Sequence, residues 1–375
     1  MKTRNVAFIC PSTAWGGLEM NVHRLALWLK KRGLHIIFYG NPLSVLFQKL
    51  QAENIAVRSL VSKSKFNDIF IARSLGRTIK SDNVSIAVLH LNKNFLLTAL
   101  ARRFSGNSFK MIYMQHMHVG PAKKDFFHNW LYRHLDRWVT PLPLFKNALT
   151  EKTNIPPEKI EIIPLGIELE RFIDHKPNQS RAREELDLPA DVTIAGVVGR
   201  LDPKKGQHIL IEACHRLHQQ GKKLHLLIVG DKSLHEETGY AERLAELVSR
   251  YELNDYVHFR PHITDIQYAY SAMDIFTLTS KSETYGMVTI EAMACGLPVI
   301  GTDEGGTKDI INDGQSGLLV EPYHAEKLQQ ALSQLTDNPS LARRLAGRAR
   351  KDAIDKYSHH RQCDLLENLF EKLRV

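Results

Sequence analysis

The sequence predicts an α/β protein made of two parallel-sheet domains. Three observations lead there. At 375 residues the chain is long for one hydrophobic core. In both halves, short apolar runs of strand type alternate with longer segments of helical apolar period, the pattern that builds parallel sheets with helical crossovers. Between the halves, residues 174–191 (DHKPNQSRAREELDLPAD) are polar and contain proline, as a connection would. The expected domains are an N-terminal domain over 1–172, a linker over 173–190, and a second domain over 191–357. A C-terminal helix over 358–375 is expected to cross back to the first domain.

The elements follow in order. Residues 5–10 are a short apolar strand ended by Pro11, and the turn Ala14-Trp15-Gly16-Gly17 enters a helix over 18–32 that Gly33 stops. Strands are expected over 35–39 and 84–91, a helix over 95–104, and a strand over 110–115 that runs into His116-Met117-His118-Val119-Gly120. Residues 122–137 mix Phe126, Phe127, Trp130 and Leu131 with Lys123, Lys124, Arg133, His134 and Arg137, a basic amphipathic helix. Strands over 138–141 and 160–164 complete the half. The pattern then restarts, with strands over 193–198, 224–229, 257–259, 275–278, 298–301 and 318–320. Helices over 207–219, 241–250, 266–271, 325–335, 341–356 and 360–373 accompany them. Ligands of such sheets bind beyond the carboxyl ends of the strands.

Charge is uneven. Residues 1–172 hold 25 Lys and Arg against 11 Asp and Glu, net +14, and the remainder is net −5, giving +9 overall. A basic first half suits an anionic membrane surface or an anionic substrate. Zinc spacing, helix-turn-helix cues and RNA-binding aromatic signatures are missing, so no nucleic-acid partner is expected. The amphipathic 122–137 segment suits both an anionic membrane surface and a helix with one face in the core; the sequence leaves both open. No apolar run approaches the roughly 20 residues of a membrane span, and the first ten residues run straight into a strand without a signal-type apolar region. Cys10, Cys214, Cys295 and Cys363 are scattered without a CxxC, as in a reduced compartment. The expected location is cytoplasmic, with peripheral attachment at the inner face of the membrane as a candidate.

The stretch KSETYGMVTIEAMACG (281–296) organises the chemistry. Tyr285 and Gly286 lead into a helix whose first amides, at Met287 and Val288, suit a phosphate. Glu283 before that helix and Glu291 inside it repel phosphate, so they make better acceptors for sugar hydroxyls. Arg200 and Lys205, spaced R-x4-K in a strand–helix loop, suit a diphosphate, the first as a planar fork and the second as a point charge. The chain has no D-x-D, so no metal or other cofactor is expected. Gly16 and Gly17 stand in G-G-x-E with Glu19 rather than G-x-G-x-x-G, which removes a dinucleotide fingerprint and leaves amides that a bound group approaches closely. His116, at a strand end, can bond a hydroxyl or phosphate or take a proton; His118 competes for the role.

With these residues in place the chain resembles retaining glycosyltransferases of family 4 (glycosyl transferases group 1), over nearly its whole length. The most specific part is E-x7-E, Glu283 to Glu291. The family's diphosphate pair falls on Arg200 and Lys205, its early glycine loop on Gly16-Gly17, and its strand-end histidine best on His116. Pro164-Leu165-Gly166-Ile167 meets P-x-G-I, and residues 313–320 meet D-G-x-x-G-L-L-V. Two departures stand out: Thr284 replaces the frequent glycine after Glu283, and Lys308-Asp309 stands where Pro-Glu is frequent.

The resemblance implies a GT-B fold, two Rossmann-like domains facing a cleft. Glu291 would then bind the ribose, Glu283 the donor sugar, and the amides near Met287 and Val288 the phosphates, with Arg260 to His262 at the base. It also implies transfer of a hexose-type sugar from a UDP- or GDP-sugar to a glycan or lipid-linked acceptor hydroxyl, with retention, in cell-envelope polysaccharide synthesis. Alternatives on the same architecture are a nucleotide-sugar epimerase, a sugar phosphorylase, and a non-catalytic nucleotide-sugar-binding protein.

Overall fold

The computed structural model describes residues 5–61, 68–232, 239–281 and 283–374. The chain divides into two compact units, Met1–Leu165 with His359–Val375, and Gly166–Ser358.

The first unit is built on seven parallel strands: β1 Asn5–Ile9, β2 Ile36–Gly40, β3 Ala56–Ser59, β4 Val84–Leu89, β5 Lys110–Met114, β6 Arg137–Thr140 and β7 Ile160–Ile162. Their order is β3-β2-β1-β4-β5-β6-β7. Central strands of such a sheet are covered on both faces and read as unbroken apolar runs, and β4 (VSIAVL) is buried at every position. Side chains of β1, β2 and β4 pack against helices Asp68–Ser81 and Phe95–Phe104. A second cluster joins Phe95, Tyr113, Tyr132 and Trp138 near β5 and β6. Helix His359–Arg374 packs on helix Gly17–Lys31, where Arg32 pairs with Asp364 and Glu367, and the rings of Trp28 and His359 lie 5.1 Å apart.

The second unit carries six parallel strands: β8 Ile194–Val198, β9 His225–Val229, β10 Val257–Arg260, β11 Ile275–Thr277, β12 Val299–Thr302 and β13 Leu318–Val320, in the order β10-β9-β8-β11-β12-β13. In both sheets the chain turns back to the other side of its first strand, which places a crevice at the carboxyl ends of the central strands.

The structure differs from the sequence expectations in four places. The basic amphipathic helix spans Phe126–Arg133 rather than 122–137. Asp125 caps its start by accepting from the His128 amide at 3.1 Å, and Arg137 already begins β6, which the sheet holds between β5 and β7. Helices Val45–Ala52 and Pro143–Lys152, helix Asp68–Ser81 and strand β3 occupy stretches that apolar period left unassigned. The first unit ends at 165 rather than 172, because the Ile167 amide donates to the Tyr357 carbonyl at 2.8 Å and Leu169 and Phe172 are buried in the second unit. Within the expected linker, helix Gln179–Glu185 is part of the second unit. Its buried Arg183 pairs with Asp274 at 2.8 Å, and that carboxylate also accepts from the Ile194 amide at the start of β8.

Candidate active site

In the second unit, the loop after β8 lies beside the turn after β11. Asp202 accepts from the Lys204 amide at 2.9 Å and shapes the short turn Pro203–Lys205. The Arg200 carbonyl accepts from Gln207 Nε2 at 2.8 Å, while its side chain is exposed and makes no ion pair among the described residues. Thr279 Oγ1 donates to the Lys205 carbonyl at 2.7 Å, and the Lys281 amide to the Lys204 carbonyl at 3.1 Å. Those two bonds clamp the loop to the turn. Lys205 Nζ then meets Glu283 Oε2 at 2.6 Å, both side chains being partly buried.

Glu283 is held by its backbone. Its carbonyl accepts from the Gly306 amide at 2.7 Å, and it bridges to Gly305. Gly305 has φ +66°, and a Cβ there would sit 2.4 Å from the Glu283 carbonyl oxygen, so only glycine fits this approach. Gly286, at φ +91°, opens helix Met287–Ala294. Thr289 and Ile290 make the first amide bonds of that helix, both to the Gly286 carbonyl. The amides of Met287 and Val288 precede them at the positive end of the helix dipole. Tyr285 is buried, whereas Met287, Val288 and Glu291 are partly open.

Glu291 is oriented by a residue that sequence reasoning missed. Tyr270, fully buried between Phe172 and Phe276, donates its hydroxyl to Glu291 Oε2 at 2.7 Å. Burial and the neighbouring carboxylate push the Tyr270 hydroxyl well above its usual range, so it stays a donor. Nothing local to the helix Gln267–Ala272 announces that pairing, which spans 21 residues. At the end of β10, Arg260 donates to the carbonyls of Leu186, Asp187 and Phe259, and the His262 amide to Asp231 Oδ1 at 2.9 Å. The guanidinium of Arg260 is thus committed to the backbone; the exposed His262 and the chain beside it remain open.

In the first unit, Glu19 organises the glycine loop. Its buried carboxylate accepts from Ser12 Oγ at 2.6 Å and from the Gly16 amide at 3.0 Å, while the Ala14 amide donates to Ser12 Oγ at 3.2 Å. A Cβ at Gly17 would meet nothing within 4 Å among the described residues. His116 follows β5 on a loop pinned by Gln115, which accepts from Trp138 Nε1 at 2.9 Å and donates to the Met117 carbonyl at 2.8 Å. His116 Nε2 lies 3.0 Å from His90 Nδ1. Burial alone pushes His116 down to about 4. His118 is exposed and packs edge-on against Phe145 at 5.1 Å. A cavity of about 110 Å³ borders His90, Gln115, His116, His118, Tyr113 and Trp138. The structure therefore gathers Arg200, Lys205, Glu283, Gly286 and Glu291 within one unit, and His116 with Gly16 and Gly17 at strand ends of the other.

Residues 178–352 match the family model described as Glycosyl transferases group 1, and residues 15–171 that described as Glycosyltransferase Family 4. The chain belongs to these glycosyltransferases, and its two parallel-sheet units are those of the GT-B fold. It is 34% identical over 224 residues to the D-inositol 3-phosphate glycosyltransferase of Streptomyces bingchenggensis, which takes in 57% of this chain and 48% of that relative. The chain spans about half the length of the curated relatives it matches. Among solved structures, a glycosyltransferase from Rickettsia africae ESF-5 is similar with a TM-score of 0.90 at 23% identity, covering 100% of this chain and 99% of its own. Anabaena Alr3699/HepE in complex with UDP and glucose gives 0.80 at 21%, covering 98% and 99%. At these identities the likeness is one of fold. Among the described residues, no helix is long and apolar enough to cross a membrane.

Proposed function

We propose that this chain transfers a hexose-type sugar from a nucleoside diphosphate sugar to a hydroxyl of a glycan or lipid-linked acceptor, with retention of configuration. The observation that carries the reading is the second unit's cluster: Lys205 on Glu283 at 2.6 Å, before a helix whose first turn leads to Glu291. One carboxylate is within reach of a cation, and the other is aimed by Tyr270 and partly open. A diphosphate accepts bonds from Arg200, Lys205 and the Met287 and Val288 amides. Glu291 then takes the ribose hydroxyls and Glu283 those of the sugar. The bond between the anomeric carbon and the leaving phosphate oxygen breaks as the acceptor oxygen bonds to that carbon. The acceptor proton passes to a phosphate oxygen, and the negative charge growing on the diphosphate falls on fixed positive groups. No metal is assigned to this step. His116 is assigned to a sugar or acceptor hydroxyl, and the basic first unit to the acceptor. D-inositol 3-phosphate, for which the relatives are named, is anionic, and an acceptor of that kind suits this charge.

Product analysis of a panel of UDP-, GDP- and ADP-sugars with glycan, lipid-linked and inositol phosphate acceptors tests the reading. Transfer to a hydroxyl is expected; isomerised donor without acceptor would mean an epimerase, and sugar phosphate formed from a glycan and phosphate a phosphorylase. Lys205→Ala is expected to lower kcat about 10²- to 10³-fold, and exposed Arg200→Ala about tenfold or more with the melting temperature unchanged. Near-normal rates in both variants would remove the diphosphate role.

A further inference from the structure

His90 has no part in the reading above, yet it shares a contact with His116. The sheet brings them together. β4 and β5 run in parallel with Leu89 beside Tyr113, so the first residue past β4 lies next to the loop past β5. His90 is buried and fixed: its amide donates to the Ile9 carbonyl at 3.2 Å, and its ring stands edge-on to Phe8 at 4.9 Å. His116 is fixed from the other side by the Gln115 loop. The two imidazoles, 5.2 Å apart, meet at His90 Nδ1 and His116 Nε2, 3.0 Å apart.

Burial keeps both rings neutral at pH 7, and two neutral imidazoles in contact share a single proton. If His90 Nδ1–H donates, His116 Nε2 accepts, and His116 carries its single ring proton on Nδ1 and offers a donor there. If His116 Nε2–H donates, its Nδ1 is bare and accepts. The outer nitrogens, His90 Nε2 and His116 Nδ1, are both buried with no partner among the described residues, and both residues border the cavity of about 110 Å³. A buried nitrogen without a partner is costly, and a hydroxyl arriving at His116 Nδ1 removes that cost.

We propose that His90 is a positioning residue: through its Nδ1 it holds the His116 ring with Nδ1 toward the cavity and decides whether that nitrogen meets a substrate hydroxyl as donor or acceptor. The proposal rests on the assignment of His116 to a hydroxyl, and the two fail separately. A fully active His116→Ala variant would end the assignment of His116 to a hydroxyl, whereas the tautomer of the wild-type His116 ring, read without substrate, tests the contact with His90 by itself.

The test uses the full chain with ¹⁵N-labelled histidine. Ring-nitrogen NMR at pH 7 is expected to show His116 as one neutral tautomer; an even mixture of tautomers in the wild type would overturn the proposal without any variant. His90→Asn places its amide where Nδ1 was, His90→Gln where Nε2 was, and His90→Phe has none. Asn is expected to keep a single His116 tautomer, whereas Gln and Phe give mixtures. Read as UDP release from UDP-glucose, kcat should fall about 10- to 100-fold in Gln and Phe, with donor KM unchanged and with Asn restoring most of the rate. A wild-type His116 spectrum in His90→Phe would overturn the proposal, as would a mixture in His90→Asn equal to that in Phe. The spectra need no substrate and decide alone, and thermal melts of the three variants separate positioning from loss of fold.

Discussion

At the scale of single residues, the site is a set of polar groups whose partners lie far along the chain. Lys205 and Glu283 are 78 residues apart in sequence, and His90 and His116 are 26 apart. Each type was legible as chemistry: a cation after a strand, a carboxylate before a helix, a histidine at a strand end. Which cation met which carboxylate was not, because the meeting depends on sheet order. Gly17 was legible for a better reason. Among the described residues nothing lies within 4 Å of where a Cβ would sit there, which leaves room for the group that the proposed function brings to this loop. Gly17→Ala is therefore expected to lower turnover at least about tenfold with an unchanged urea midpoint; a destabilised protein with normal turnover would make that glycine structural. The buried histidines carry a pH signature. His116 titrates near 4 in the native state and near 6.5 in the unfolded chain. Between these values the unfolded chain binds more protons, so stability falls as pH is lowered from about 6.5 to about 4. His116→Asn should remove about 1–3 kcal/mol of that fall, read as the difference between urea unfolding at pH 4.5 and at pH 7. An unchanged difference would mean that the ring is protonated in the native state.

At the scale of elements, parallel strands read well because they are apolar throughout, and helix Met287–Ala294 reads well because Gly286 marks its start. Amphipathic surface helices read poorly. Val45–Ala52 and Pro143–Lys152 are only 8 and 10 residues long, too short for a period to stand out. Helix Phe126–Arg133 is the instructive case. Its inner face supplies Leu131 and Tyr132 to the core, the bland half of the sequence reading. Its first residues, Phe126 and Phe127, are 84% and 49% exposed, with Lys123 and Lys124 just before them. An aromatic pair in water beside cations fits the proposed attachment to an anionic bilayer, where apolar insertion and charge attraction act together. The double variant Phe126→Ser, Phe127→Ser is expected to lose sedimentation with phosphatidylglycerol vesicles while leaving turnover of soluble substrates intact. Equal sedimentation with phosphatidylcholine vesicles, or none in the wild type, would leave this edge without a membrane role.

For the molecule as a whole, charge and burial separate two tasks. Residues 1–172 are net positive and the remainder is net negative; the proposed function gives the anionic acceptor to the first and the donor diphosphate to Arg200 and Lys205 in the second. The four cysteines are buried, and burial pushes the thiols of Cys10, Cys214 and Cys295 up to about 12, so the reactive chemistry does not run through sulfur. If fixed cations and helix amides hold the donor, nucleotide binding must not depend on a divalent ion. A ligand that binds only the native state adds about 2.7 kcal/mol at 100 times its Kd. UDP or GDP at that ratio should raise the melting temperature equally with EDTA and with added Mg²⁺. Arg200→Ala should lose most of that rise, because its exposed guanidinium makes no ion pair among the described residues and, in the proposed function, is there for the diphosphate. A rise that EDTA abolishes would transfer the charge of the leaving group to a metal. A rise that survives intact in both Arg200→Ala and Lys205→Ala would place the nucleotide elsewhere on the chain.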